Sequence, residues 1–158
     1  MSHHPGYQPR GMYFEDFEVG RSIVTSRRTV TSTDIVNFAC LSGDHNAPHV
    51  DHEFCKTQPY GEPIAHGPLV YAISAGLQCQ SGINDGTIVA MLGADKWRIH
   101  KPVKHGDTIH VVATVIDKRP TSKGDKGIVT FRREIRNQHG ETVHSMLSSA
   151  MYLCRGSR

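Results

Sequence analysis

GPLVYAISAGLQCQSG, residues 67–82, is the stretch on which the reading of the fold turns. Pro68 sits just inside a helix start, and Leu69, Val70, Ile73 and Leu77 recur at helical spacing. Small residues lie between them, and Gly82 marks the stop. The stretch carries no charge anywhere on its circumference, so the helix belongs in an interior rather than along a surface. It is also too short to cross a bilayer. Downstream the period changes. TIVAMLGADKWRI (87–99), DTIHVVATVIDKR (107–119), GIVTFRREIRN (127–137) and ETVHSMLSSAMYL (141–153) read as four strands. In the third of these, Val129, Phe131 and Ile135 alternate with Thr130, Arg132 and Glu134. HGD (105–107), SKGDKG (122–127) and NQHG (137–140) mark the turns between them. One apolar helix followed by a run of antiparallel strands implies an α+β domain with a sheet wrapped around the helix. Dimerisation would cover what the sheet leaves open.

Upstream of the helix, GRSIVTSRRTV (20–30) has strand composition. TSTDIVNFACL (31–41) opens with hydroxyl residues followed by Asp34, a helix-start signal, and places Ile35, Val36, Ala39 and Cys40 on one side. Gly43 and Pro48 end that helix, and VDHEFCKTQ (50–58) adds a helical turn. Residues 1–12, rich in Gly, Pro and His, are expected to be a loosely held arm, with a single domain over 13–158.

The totals bound the function. A chain of 158 residues can bury a core without staples, and a net charge of +3 is too mild to argue for nucleic acid. Cys40, Cys55, Cys79 and Cys154 form no CxxC pair, which removes support for zinc-ribbon and redox readings and favours a reduced, cytoplasmic setting. The first residues, MSHHPGYQPRG, contain no apolar core of a signal peptide.

The chemistry concentrates in LSGDHNAPHVD (41–51). Between two apolar runs this loop sets Asp44, His45, Asn46 and His49, with His52 just beyond. Such a loop can bind a metal, perform acid–base work, or be a capped helix end whose histidine is only superficial. A metal set drawn from His45, His49, Asp51, His52 and His66 lacks an HExxH frame, and Pro48 interrupts the helix that an i, i+4 pair of histidines needs.

Four blocks then carry a resemblance: YFEDFEVG (13–20), TDIVNFACLSGDHNAPHVD (33–51), YGEPIAHGPL (60–69) and KPVKHGDTI (101–109). In this order they resemble the MaoC-like (R)-specific enoyl-CoA hydratases and 3-hydroxyacyl-CoA dehydratases. The likeness runs from about Tyr13 to Leu153. The family pattern Asp-x-Asn-Pro-x-His is met by Asp44, Asn46 and His49, with Ala47 in place of the proline and Pro48 one residue later. The resemblance implies a hotdog fold with a hydratase-type overhang loop, no metal and no cofactor. It implies Asp44 and His49 as the catalytic pair, one taking a proton from water and the other orienting that water and supplying a proton to the α-carbon. Asn46 would shape the loop, and the Gly67 backbone N–H would hold the thioester oxygen. His66 is expected to shape the site by bonding a nearby carbonyl. The serine that some members carry within the central helix is Ala75 here.

The implied partner is an acyl-CoA or acyl-carrier-protein thioester of fatty acid metabolism, turned over by a homodimer or an oligomer of dimers. Lys96, Arg98, Lys101, Lys104, Lys118 and Arg119 could attract coenzyme A phosphates or simply form a solvated rim. Two other readings share the fold. An acyl-CoA thioesterase would want a carboxylate on the central helix, and 67–82 has none. A non-catalytic acyl-thioester-binding protein would not need the Asp44–His49 pair.

Overall fold

The computed structural model describes residues 7–156. The chain forms β1 (Ser22–Val24), β2 (Arg28–Thr29), α1 (Ser32–Ser42), α2 (Ala47–Val50), α3 (His52–Lys56), α4 (Gly67–Gln80), β3 (Ile88–Ile99), β4 (Thr108–Pro120), β5 (Lys126–Arg136) and β6 (Thr142–Leu153). All strand pairs are antiparallel, in the order β1-β4-β5-β6-β3, with β2 also beside β4. The sheet curls against α4 in the hotdog arrangement. Leu69, Val70, Ile73 and Leu77 of α4 share one buried cluster with Val111, Ala113 and Val115 of β4, Val129, Phe131 and Ile135 of β5, and Val143, Met146 and Tyr152 of β6. Fully burying an aliphatic side chain contributes about 1.5–3 kcal/mol, so this seam supplies much of the driving force.

The four long strands match their sequence reading to within a residue at each end. At the β5–β6 hairpin, Asn137 Oδ1 accepts from the backbone N–H groups of His139 and Glu141, both at 3.0 Å. That side chain stands in for main-chain partners in the NQHG turn.

Two expectations need correction. The strand read over 20–30 is split in two, because Thr25 turns its hydroxyl into the ladder and accepts the Val111 N–H at 3.0 Å, displacing regular pairing. On α1, Ile35 and Ala39 are buried, whereas Val36 and Cys40 face outward. The sheet also leaves one side of α4 uncovered. Pro68, Ala72, Gly76 and Cys79 are exposed, so within one chain the helix is not enclosed on all sides. This small, uncharged side is the part that the sequence reading left for a second copy to cover.

Residues 1–6 of the expected N-terminal arm lie outside the described residues. The rest of it is tied to one acid: Tyr7 Oη donates to Asp85 at 2.6 Å, Arg10 Nε pairs with Asp85 at 2.8 Å, and Gly11 N–H donates to the Asp85 carbonyl at 2.9 Å.

β6 also buries a titratable group. His144 is 1% exposed, and its Nδ1 accepts from Trp97 Nε1 at 3.4 Å. Burial pushes its pKa down to about 4. In the unfolded chain it takes up a proton near the ordinary histidine value of about 6.5. The neutral form therefore stabilises the fold fully above that pH, and the contribution is lost as pH falls toward 4. The full loss should be about 3 kcal/mol. Urea unfolding of wild type and His144→Gln at pH 7 and pH 4.5 tests this. An unchanged pH slope in the variant would remove His144 as its origin. Trp97 is the chain's one tryptophan, so its fluorescence should report the same titration.

Candidate active site

α1 ends where Gly43 adopts φ 78°, a left-handed conformation suited to glycine, and its N–H donates to Ala39 O at 2.8 Å. The chain then turns through Asp44 and re-enters a helix at α2. Pro48 stands in the first turn of α2, where its missing N–H costs nothing. It was expected only to end a helix; here it also opens one. The loop is pinned from behind. Ile64 N–H donates to Pro48 O at 3.0 Å, and the buried Cys55 sulfhydryl donates to Ala47 O at 3.5 Å and to Pro48 O at 3.4 Å.

This scaffold brings Asp44, Asn46, His49 and His66 together. Asp44 Oδ1 accepts from Asn46 Nδ2 at 2.6 Å and from Asn46 N–H at 3.3 Å. The Asn46 backbone N–H, foremost, holds the Asp44 carboxyl below the ordinary carboxylate range, so it is ionised at neutral pH. His49 Nδ1 lies 2.8 Å from Ile64 O. A carbonyl only accepts, so Nδ1 carries the proton and Nε2 of the neutral ring presents a lone pair. That lone pair faces Asp44 Oδ2 at 3.9 Å. Two acceptors at this separation do not bond each other, but a donor set between them can bond both.

His66, the residue just before α4, donates from Nε2 to Asp44 O at 2.9 Å. Its ring stacks on His49 with centroids 3.6 Å apart and leans on Phe38 at 5.1 Å. It therefore fixes both members of the pair, one by its main chain and the other by its ring face. Gly67 follows as the first residue of α4. N–H groups of a helix's first turn have no acceptor within the helix, and Pro68 has none to offer, so Gly67 and Leu69 are the donors here. A Cβ on Gly67 would stand 2.7 Å from Ile99 Cδ1 and 3.6 Å from Trp97 Cζ2. A side chain would thus crowd the approach to this N–H from β3.

Asp44, His49 and His66 each offer a ligand atom, all within 4.8 Å of one another, a spacing that could also hold a metal ion. The wider metal set considered from sequence is not brought together, since His45, Asp51 and His52 fall outside this group. A cavity of about 280 Å³ reaches His49 from behind, between Ile35 and Val36 of α1 and the Glu62–Pro63 segment. Asp44 and Gly67 do not line it. Of the basic rim, Lys104 pairs with Glu62 at 2.9 Å, Lys101 with Glu141, and Lys118 donates to Phe17 O at 2.6 Å.

One residue was passed over. Arg133 shares the inner face of β5 with Val129, Phe131 and Ile135, and it is 3% exposed. The alternation that assigns its neighbours inward assigns it inward as well.

Comparison with known proteins gives a consistent picture. Residues 16–135 match the model of the MaoC like domain. Protein MaoC of Klebsiella aerogenes is 43% identical over 115 residues, which are 73% of this chain and 33% of that protein. This chain thus spans about a third of that relative. An (R)-specific enoyl-CoA hydratase of Rhodospirillum rubrum is 35% identical over 125 residues, 76% of this chain and 78% of the relative. Among solved structures, a monoamine oxidase regulatory protein from Archaeoglobus superposes with TM-score 0.84 at 37% identity, over 94% of this chain and 99% of that one. Among the described residues no helix is long and apolar enough to cross a membrane.

Proposed function

Because the chain belongs to the MaoC-like dehydratase family, we propose that it is an (R)-specific enoyl-CoA hydratase and 3-hydroxyacyl-CoA dehydratase. It would reversibly add water across the double bond of a trans-2-enoyl thioester. The observation that carries this reading is the pair of acceptors, an ionised Asp44 and the Nε2 lone pair of His49, facing each other at 3.9 Å beside the first residue of α4.

A water set between them can donate one O–H to each, leaving an oxygen lone pair for the β-carbon. As the C–O bond forms, the π electrons move toward the thioester oxygen, where the Gly67 N–H and the positive end of α4 stabilise the enolate-like charge. The protons then balance in one way. The His49 Nδ1 proton is committed to Ile64 O, so with the ring neutral neither group has a proton to spare. The proton that reaches the α-carbon is therefore the one taken from water, relayed through the same pair. Asp44 takes it and His49 passes it on, or the roles are exchanged; dehydration runs the same path backwards.

The substrate would be a coenzyme A or acyl-carrier-protein thioester, in a cytoplasmic setting of fatty acid metabolism. The working unit would be a homodimer whose two-fold contact builds part of the acyl wall. A panel of trans-2-enoyl-CoA thioesters, followed by loss of enoyl-thioester absorbance with chiral analysis of the product, tests the activity. (R)-3-hydroxyacyl product is expected. Saturable binding without turnover at every chain length would overturn it in favour of an acyl-thioester-binding protein.

The mechanism uses no metal. Dialysis against a chelator should therefore leave kcat within about twofold, whereas removing a positioned metal or base costs about 100-fold. Activity lost on chelation and restored by zinc would assign Asp44, His49 and His66 to an ion instead.

A further inference from the structure

Arg133 is a cation in the core without an anion. Among the described residues no carboxylate lies within 4.0 Å of its guanidinium, as the ion pairs of the chain involve other arginines and lysines. Its Nη2 donates to Ser74 Oγ at 3.0 Å, its Cζ lies 5.7 Å from the Tyr71 ring centroid, and its buried Nε has no partner. Ser74 itself is fully buried and spends its own proton on Tyr71 O at 2.7 Å. A guanidinium does not discharge by losing a proton at physiological pH, and an uncompensated buried charge is costly. Hydrophobic residues of similar size would serve packing better at this position.

The location says what the charge is for. Gly67, Tyr71 and Ser74 follow one another at i, i+4 and i+7 on α4, so they form one stripe of that helix. Trp97 touches both ends of the first step. Its Cζ2 lies 3.6 Å from where a Gly67 Cβ would be, and its ring centroid is 5.7 Å from that of Tyr71. Tyr71 in turn lies over Arg133. Its hydroxyl donates at 3.2 Å to the sulfur of Met91, a weak acceptor on a half-exposed side chain of β3. A thioester held at the Gly67 N–H can thus run its acyl chain along Trp97 and Tyr71 toward Arg133.

We propose that Arg133, with Ser74 and beneath the Tyr71 ring, binds a carboxylate at the far end of the acyl group, making ω-carboxy-2-enoyl thioesters the preferred substrates. This rests on the hydratase reading and names its substrate class. The rise from Gly67 to Ser74 is about 10 Å. At roughly 1.2 Å per bond of extended chain, that fits an acyl group of about six to eight carbons. A carboxylate there accepts a bidentate pair of N–H bonds from the guanidinium, which a methyl terminus cannot do.

The test compares two trans-2-enoyl-CoA series of six to eight carbons, one ending in methyl and the other in carboxylate, on the intact protein. The carboxylate series should have kcat/KM higher by at least about 30-fold, the scale for satisfying a buried charge. Arg133→Met should abolish or invert that preference while still hydrating the methyl series, and Arg133→Lys should keep part of it. Melting temperatures of both variants identify any loss that is only of folding. Equal kcat/KM for the two series in wild type would overturn the inference and leave the hydratase reading standing. A preference unchanged in a folded Arg133→Met protein would also overturn it. Turnover of neither series would overturn the hydratase reading itself.

Discussion

Asp44→Asn should lower kcat by at least ~100-fold, the scale for losing a positioned proton acceptor, with little change in melting temperature. The substitution is nearly isosteric, and an amide oxygen can still accept from Asn46 Nδ2, which now sits 2.6 Å from Oδ1. What disappears is the anion opposite His49 Nε2. The Asp44 side chain keeps 40% of its exposure, so no burial cost is released or incurred by the change. His49→Ala should cost about as much, since the water loses the other acceptor. The double variant should be little worse than either single, because the two groups act on one water and one proton. Losses that multiply strictly would separate their roles, and an Asp44→Asn enzyme with near-normal turnover would take Asp44 out of the mechanism. Steady-state kinetics beside thermal unfolding distinguishes these outcomes from misfolding.

Different parts of the molecule were legible to different degrees. The strand over 127–137 could be read from its period-2 alternation and its turn residues, a pattern that β4, β5 and β6 carry in their burial and the edge strand β3 does not. The strand over 20–30 could not be read correctly. A single buried hydroxyl, Thr25, breaks the pairing, and composition does not show which threonine turns inward. On α4 the absence of charge pointed to cover by the sheet on most sides and by a second copy on the rest, since small residues suit an interior and a close interface equally well. At the site, residue types and the Asp-to-His spacing brought Asp44, Asn46 and His49 into view. The His66 ring stacked on His49 could not be foreseen, because it depends on how the start of α4 docks beside the α1–α2 loop. Arg133 is the opposite case. The alternation at 129, 131 and 135 already placed it inward, yet a charge breaks the apolar pattern that the eye follows.

A second large effect is expected where β3 ends the sheet. Leu92→Asp should yield a monomer with turnover reduced by at least ~100-fold, if the acyl wall is completed by a second copy. β3 is an edge strand, paired only with β6, and an edge is normally covered, paired or blunted. Its two halves differ. The second half carries Asp95, Lys96 and Arg98 and holds Lys96 at φ 51°, both of which disfavour addition of another strand. The first half, from Ile88 to Ala94, has no charge and exposes Met91 at 52% and Leu92 at 48%. The uncovered side of α4, with Ala72, Gly76 and Cys79, is a second exposed surface without charge. A two-fold contact through these surfaces would be isologous and would bury both at once, and a stable interface of this kind covers about 1,200–2,000 Å². Gly67 and Tyr71 lie about a quarter turn round α4 from Pro68, Ala72 and Cys79, so a second copy seated there would border the acyl path. Specific activity should then fall on dilution in step with dissociation, as followed by sedimentation velocity. An aspartate at position 92, facing its two-fold mate, adds like-charge repulsion and a desolvation cost to a contact that was apolar. The single-chain core lies elsewhere, so the variant should remain folded, with its β-sheet circular dichroism intact. A wild-type monomer with full specific activity at assay concentration would refute the dimeric site, whatever the variant does.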